Sequence, residues 1–113
     1  MHFFDIIFVL LRKEFLVMTS KQRAYLRSLA NGLTPIFQVG KNGMSDNLIK
    51  QIDDALEARE LIKINVLETA PEDIKSIGES LASNTNSVFV QAIGNKITLY
   101  RKPKKNAKII LPK

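Results

Sequence analysis

The chain contains no cysteine among its 113 residues and a single histidine, His2, at its second position. The first absence excludes disulfides, thiolate nucleophiles and cysteine-held metals. The second leaves a histidine-based active site nothing to build on within the body of the chain. Aromatic side chains are sparse, and late in the chain only Phe89 and Tyr100 offer a ring for stacking on a base. No segment repeats and no linker separates two halves, so the length fits one domain with one core. Positive charge is what the chain has in excess: 17 lysines and arginines against 11 acidic residues, a net charge of +6 and a pI near 9.7. That balance favours a polyanionic partner, nucleic acid first.

Residues 1–17 (MHFFDIIFVLLRKEFLV) differ in composition from everything after them. The stretch is too short and too interrupted by Asp5, Arg12, Lys13 and Glu14 to span a membrane. It lacks the basic start and small-residue cleavage site of a signal peptide. The preferred expectation is a doubtful extension from an upstream start, with translation beginning naturally at Met18. The alternative is an apolar helix packed on the domain or on a partner.

From Met18 the pattern predicts helix, strand, helix, strand, helix, strand, strand. Thr19 and Gln22 form a capping box for a helix reaching Ala30, with Tyr25, Leu26, Leu29 and Ala30 as its apolar stripe. Arg23 and Arg27 lie four apart on another face, either solvated or touching phosphate. A strand is expected over 35–39, and a second helix over 45–59 with Leu48, Ile49, Ile52, Ala55 and Leu56 turned inward. Lys50, Asp53, Asp54, Glu57 and Glu60 read as its solvated face rather than as paired catalytic carboxylates. Residues 61–67 alternate, Ile62, Ile64 and Val66 against Lys63 and Asn65, as a half-buried strand does. A second capping box at 69–72 predicts a third helix with Ile74, Ile77, Leu81 and Ala82 inward. Gly94-Asn95 joins the last two strands, 87–93 and 96–100, as a hairpin. The basic run 101–108 lacks helical period and reads as a loosely ordered tail. The expected division is an extension at 1–17, a domain at 18–103 and a basic tail at 104–113.

The stretch of most functional interest is Gly40-Lys41-Asn42-Gly43, between the first strand and the second helix. Glycine permits positive φ and lets another backbone approach closely. A helix N-terminus carries unpaired N–H groups and a partial positive charge suited to an anion. Lys41 adds a mobile full charge, and Asn42 tolerates the left-handed conformation. Such a GxxG loop, KH-like in form, suits a phosphate backbone. It also suits an ordinary turn.

Met18 to Pro103 resembles the YhbY family, the stand-alone form of the CRM domain (chloroplast RNA splicing and ribosome maturation). The resemblance rests on Gly40-Lys-Asn-Gly43 after a strand, Ile52-Asp-Asp-Ala-Leu56 with Glu60-Leu-Ile-Lys-Ile64, and Gly94-Asn95 with Leu99-Tyr-Arg101. It implies an α/β (α+β) single domain in which a four-stranded mixed sheet packs with helices. It also implies RNA binding near the GxxG loop, association with precursors of the bacterial large ribosomal subunit, and no enzymatic activity. The candidate contacts are Gly40, Lys41 and Asn42, with the amides of Gly43, Met44 and Ser45 donating to phosphate. Arg23, Arg27, Lys63, Arg101, Lys102, Lys104 and Lys105 form a wider candidate surface. The expected partner is ribosomal RNA or a pre-large-subunit particle, met by a cytoplasmic monomer that needs no cofactor, metal or membrane. The competing reading is a module whose basic surface meets an acidic protein.

Overall fold

Residues 18–113 are described by the computed structural model; the extension at 1–17, with both of its readings, lies outside the described residues. The elements follow the expected order: α1 (Ser20–Ala30), β1 (Phe37–Val39), α2 (Asp46–Arg59), β2 (Leu61–Val66), α3 (Ile74–Thr85), β3 (Val88–Ile93) and β4 (Lys96–Tyr100). The four strands make one mixed sheet in the order β1-β2-β4-β3. β1 runs parallel to β2, and the other two pairs are antiparallel.

Local side chains set the helix ends. Thr19 and Gln22 close the expected capping box, each backbone N–H donating to the other's side chain at 3.1 Å. Ser45 Oγ accepts from Leu48 N at 3.1 Å and starts α2. The expected box at 69–72 does not form. Ala70 N donates to Leu67 O instead, so this stretch closes as a turn, and Asp73 caps α3 by accepting from Ser76 N at 2.8 Å. The Ser76 side-chain hydrogen bond, then its backbone one, holds the Asp73 carboxyl below its usual range.

Alternation along β2 divides the interior in two. Ile62, Ile64 and Val66 meet Ile52 and Leu56 of α2, Ile77 and Leu81 of α3, and Ile97 and Leu99 of β4. On the opposite face Leu61, Val88, Val90 and Tyr100 meet Leu26 and Ala30 of α1. The sheet therefore carries α2 and α3 on one side and α1 on the other. Tyr25 and Leu29, expected in the buried stripe, are 38% and 37% exposed instead. α1 crosses only one end of its face of the sheet, and its apolar contact is narrow.

Two arginines expected at a phosphate surface are committed to the fold. Arg23 Nη1 donates to Phe89 O at 2.7 Å and to Val90 O at 3.0 Å, where a register shift in β3 leaves carbonyls unpaired by the ladder. Arg101 bonds the Asp53 carboxylate, Asp53 O at 2.9 Å and Thr85 O at 2.8 Å, with Glu57 at 3.6 Å. Its side chain is only 14% exposed, and it ties α2 to the C-terminal end of α3. Asp53 and Glu57 are thus partners of an arginine rather than a purely solvated face.

The loose tail expected after residue 103 is also corrected. Glu60, placed on the solvent face from the sequence, is buried with positive φ at the end of α2. Its carboxylate accepts from the backbone N–H of Lys108 and of Ile109. Glu57 accepts from Lys104 N at 2.8 Å, and Gln22 donates to Pro112 O at 3.0 Å. Ile109 and Leu111 pack on the α1 core. The tail is a strap across α1, held by hydrogen-bond partners that lie far away in sequence.

Phe89 is core rather than a stacking platform: its ring lies against Gly78 of α3, where an added Cβ would come within 2.7 Å of it. Gly78→Ala therefore overpacks the interior and is expected to cost about 1–3 kcal/mol, lowering Tm by roughly 5–15 °C in a thermal melt. Arg101→Ala leaves two carbonyls and a carboxylate short of a donor and is expected to cost about 2 kcal/mol in a denaturant titration. Burial, then the nearby Glu60 charge, raises the Tyr100 phenol above its ordinary value. The unfolded phenol ionises first, so this group supports folding below pH about 10. That support is lost as pH climbs through the raised value, and a Tyr100→Phe variant is expected to lack this alkaline loss.

Candidate nucleic-acid interface

β1 and β2 run parallel, so both end on the same side of the molecule. There the loop at 40–45 meets the turn at 67–73 and the β3–β4 hairpin, whose Asn95 O accepts from Val66 N at 2.7 Å. Within the loop, Gly43 N donates to Gly40 O at 2.9 Å, which makes the four residues a hydrogen-bonded turn. Lys41 and Asn42 occupy its exposed tip. The left-handed residue is Gly43 (φ +63), not Asn42. The Gly43 amide, expected to donate to phosphate, is therefore occupied within the turn. Among the described residues nothing accepts from the amides of Met44 and Ser45, which lead into the first turn of α2.

The two glycines are not equivalent. A Cβ on Gly43 would sit 3.2 Å from the Pro71 ring in a backbone conformation that L side chains rarely adopt. A Cβ on Gly40 would make only ordinary contacts, 3.5 Å to Leu67 and 3.8 Å to Thr69. The fold requires glycine at 43 and has room for a side chain at 40.

The remaining candidates spread along the sheet. Lys63 lies on the α1 side of β2, in register with Thr98, and Arg27 is exposed on α1. Lys102, Lys104 and Lys105 are exposed at the far end, beyond Tyr100, which pairs with Leu61 at the start of β2. At about 3.3 Å per residue, β2 separates that end from the loop by about 17 Å. Arg23 and Arg101 drop out of the surface, because their guanidiniums are bound inside the fold. Lys96, which the sequence reading passed over, joins it: it pairs with Asn65 beside the loop and is exposed.

A stronger signal was available in the sequence. Every acidic side chain of the described residues lies between Asp46 and Glu79, and none occurs in 18–45 or 80–113. The fold turns this segregation into geometry. α2, α3 and the turn between β2 and α3 carry the carboxylates, while α1, the hairpin and the strap have no acidic residue of their own; Glu57 and Glu60, at the end of α2, reach the strap and bond its backbone. Asp46, Glu68 and Glu72 border the loop, so the potential is most positive toward α1 and weaker toward α3.

Gly43→Ala is expected to cost about 1–2 kcal/mol of stability, from forcing a Cβ into the left-handed region. Gly40→Ala is expected to leave Tm unchanged while weakening any ligand whose backbone must approach the turn. Paired thermal melts and binding isotherms of the two variants check this.

The CRS1 / YhbY (CRM) domain profile matches residues 18–101. The protein named "Probable RNA-binding protein YqeI" in Bacillus subtilis is 54% identical over 96 residues, 85% of this chain and 100% of that protein. A protein of Haemophilus influenzae named "RNA-binding protein" is 35% identical over 96 residues, 85% of this chain and 96% of its own length. The solution structure of SAV1595 from Staphylococcus aureus superposes with a TM-score of 0.73 at 52% identity, covering 85% of this chain and 100% of that one. The same α+β arrangement of helices on a four-stranded mixed sheet, the family profile and these relatives agree: the chain belongs to the CRS1/YhbY (CRM) domain family.

Proposed function

We propose that the chain binds structured RNA through its phosphate backbone, and that the RNA is ribosomal, within precursors of the large subunit. The observation that carries the RNA reading is the segregation of charge, which leaves α1, the β3–β4 hairpin and the strap without an acidic residue of their own. A phosphate backbone is the partner that rewards such a surface along its whole length. The names of the relatives support RNA as the class of partner. The ribosomal target follows from the family resemblance. Lys41 supplies charge at the turn, Gly40 lets the backbone approach, and the Met44 and Ser45 amides donate to phosphate oxygens. Lys63, Lys96, Lys102, Lys104 and Lys105 extend the contact, with Arg27 on α1. With both late aromatic rings in the interior, recognition rests on shape and backbone more than on stacking. The protein acts in this reading as a cytoplasmic monomer, without a cofactor and without a catalytic step. Among the described residues no helix is long and apolar enough to cross a membrane.

A salt titration of binding to large-subunit ribosomal RNA fragments tests this. Lys41→Glu is expected to weaken binding by about tenfold or more, and Lys102, Lys104 and Lys105→Gln together to flatten the slope of log K against log[salt] by about one per lost contact. The triple variant replaces truncation, because cutting the chain after Tyr100 would remove Arg101 and the strap that covers α1. Lys75→Glu, on the acidic layer, is expected to bind like the parent. Equal binding by all of these variants would move the site elsewhere and favour an acidic protein as the partner.

A further inference from the structure

We propose that Glu57 and Glu60 are positioning residues for RNA: by holding the strap, two carboxylates strengthen the binding of a polyanion. This rests on the RNA-binding reading and deepens it, since it gives the acidic end of α2 a part in that binding. Glu57 lies in the last turn of α2, and Glu60 is its cap. The C-terminal end of a helix carries partial negative charge, so it is a poor place for a carboxylate. Glu60 is also 3% exposed, and a buried carboxylate needs partners.

The strap supplies those partners. Glu60 Oε1 accepts from Lys108 N and, at 3.1 Å, from Ile109 N. Glu57 accepts from Lys104 N at 2.8 Å. All of these donors are backbone groups. The carboxylates therefore fix the course of the chain and leave the ammonium groups free. Lys102, Lys104 and Lys105 are exposed, and among the described residues no carboxylate forms an ion pair with them. Lys102 stands between Arg101, whose N–H donates to Glu60 O at 2.9 Å, and the buried Pro103. Lys104 and Lys105 lie in a short segment closed by Glu57 at one end and Glu60 at the other.

Two effects of the carboxylates oppose each other. Their charge repels phosphate, and their hydrogen bonds order the lysines. Repulsion is the weaker effect. The Arg101 guanidinium lies 3.6 Å from Glu57 and offsets its charge. Glu60 is buried, and at physiological salt exposed charges are screened beyond about 8 Å. A tail left free after Tyr100 would have to be ordered as RNA binds, and that lost entropy weakens the contact. The docked strap instead holds its lysines at a set distance from the 40–45 loop, so one RNA backbone meets both together.

The test measures binding to a large-subunit ribosomal RNA fragment at one fixed salt concentration, below the melting range of every variant. Hydrogen exchange of the amides at 104–109 is followed alongside. Two double variants carry the same net charge: Glu57→Gln with Glu60→Gln, and Glu57→Ala with Glu60→Ala. The glutamine pair keeps an acceptor for each strap contact and is expected to bind at least as tightly as the parent. The alanine pair is expected to bind about fivefold more weakly than the glutamine pair, with faster exchange at Lys104, Lys108 and Ile109. With Lys102, Lys104 and Lys105→Gln already in place, the alanine pair is expected to add no further loss, because the lysines it would misplace are gone. If the alanine pair fails to fold, Glu57→Ala against Glu57→Gln decides, since the Glu57 side chain is 40% exposed. Equal binding by the alanine and glutamine pairs overturns the proposal while the RNA reading stands. A loss that persists without the lysines does the same, because the carboxylates would then act through the fold. No binding of RNA by the parent overturns both.

Discussion

The structure depends on β2, which serves two cores at once. It pairs with β1 on one side and β4 on the other, and its six residues alternate between the α2–α3 layer and the α1 layer. Each fully buried leucine or isoleucine contributes about 1.5–3 kcal/mol, so Leu61, Ile62, Ile64 and Val66 fix the register of the whole sheet. A slip of one residue would put Lys63 and Asn65 against Ile52 and Leu56. With that register set, the ends of β1 and β2 coincide, and the 40–45 loop and the turn at 67–73 come to lie together.

Around this strand, charged groups close what apolar contacts leave open. Arg23 satisfies carbonyls at the β3 irregularity, and Arg101 joins α2 to the end of α3. Glu60 and Glu57 hold the strap across α1 by accepting its backbone N–H groups. The strap gives α1, whose apolar contact with the sheet is narrow, a second covering through Ile109 and Leu111. It also fixes lysines that composition alone would leave loose, holding Lys104 beside Glu57 and Lys108 beside Glu60.

Much of this was legible residue by residue. The element order, the Thr19–Gln22 box, the Ser45 cap and the Gly94-Asn95 turn are local signals, each decided by neighbours a few positions away. The misses are non-local. Thr69 and Asp73 are both sound caps, and the Leu67–Ala70 hydrogen bond that chose between them depends on how β2 ends. A guanidinium's charge says nothing about which carbonyls a bulge or a helix end leaves exposed, so Arg23 and Arg101 read as surface. The strap reads as disordered because its partners lie about fifty positions away, at Glu57 and Glu60. The loop was found, and of the residues read as able to take a left-handed conformation, the two glycines and Asn42, only Gly43 does.

The central claim is that one side of the sheet faces RNA and the other does not. Mapping the backbone amide shifts of the isotopically labelled protein on titration with a large-subunit ribosomal RNA fragment tests it most directly. The account predicts perturbations concentrated at residues 40–45, on α1, at Lys63 and Lys96, and along the strap, with the outward face of α2 and α3 unmoved. Perturbations centred on Asp54, Lys75 and Glu79, with the loop silent, would contradict it.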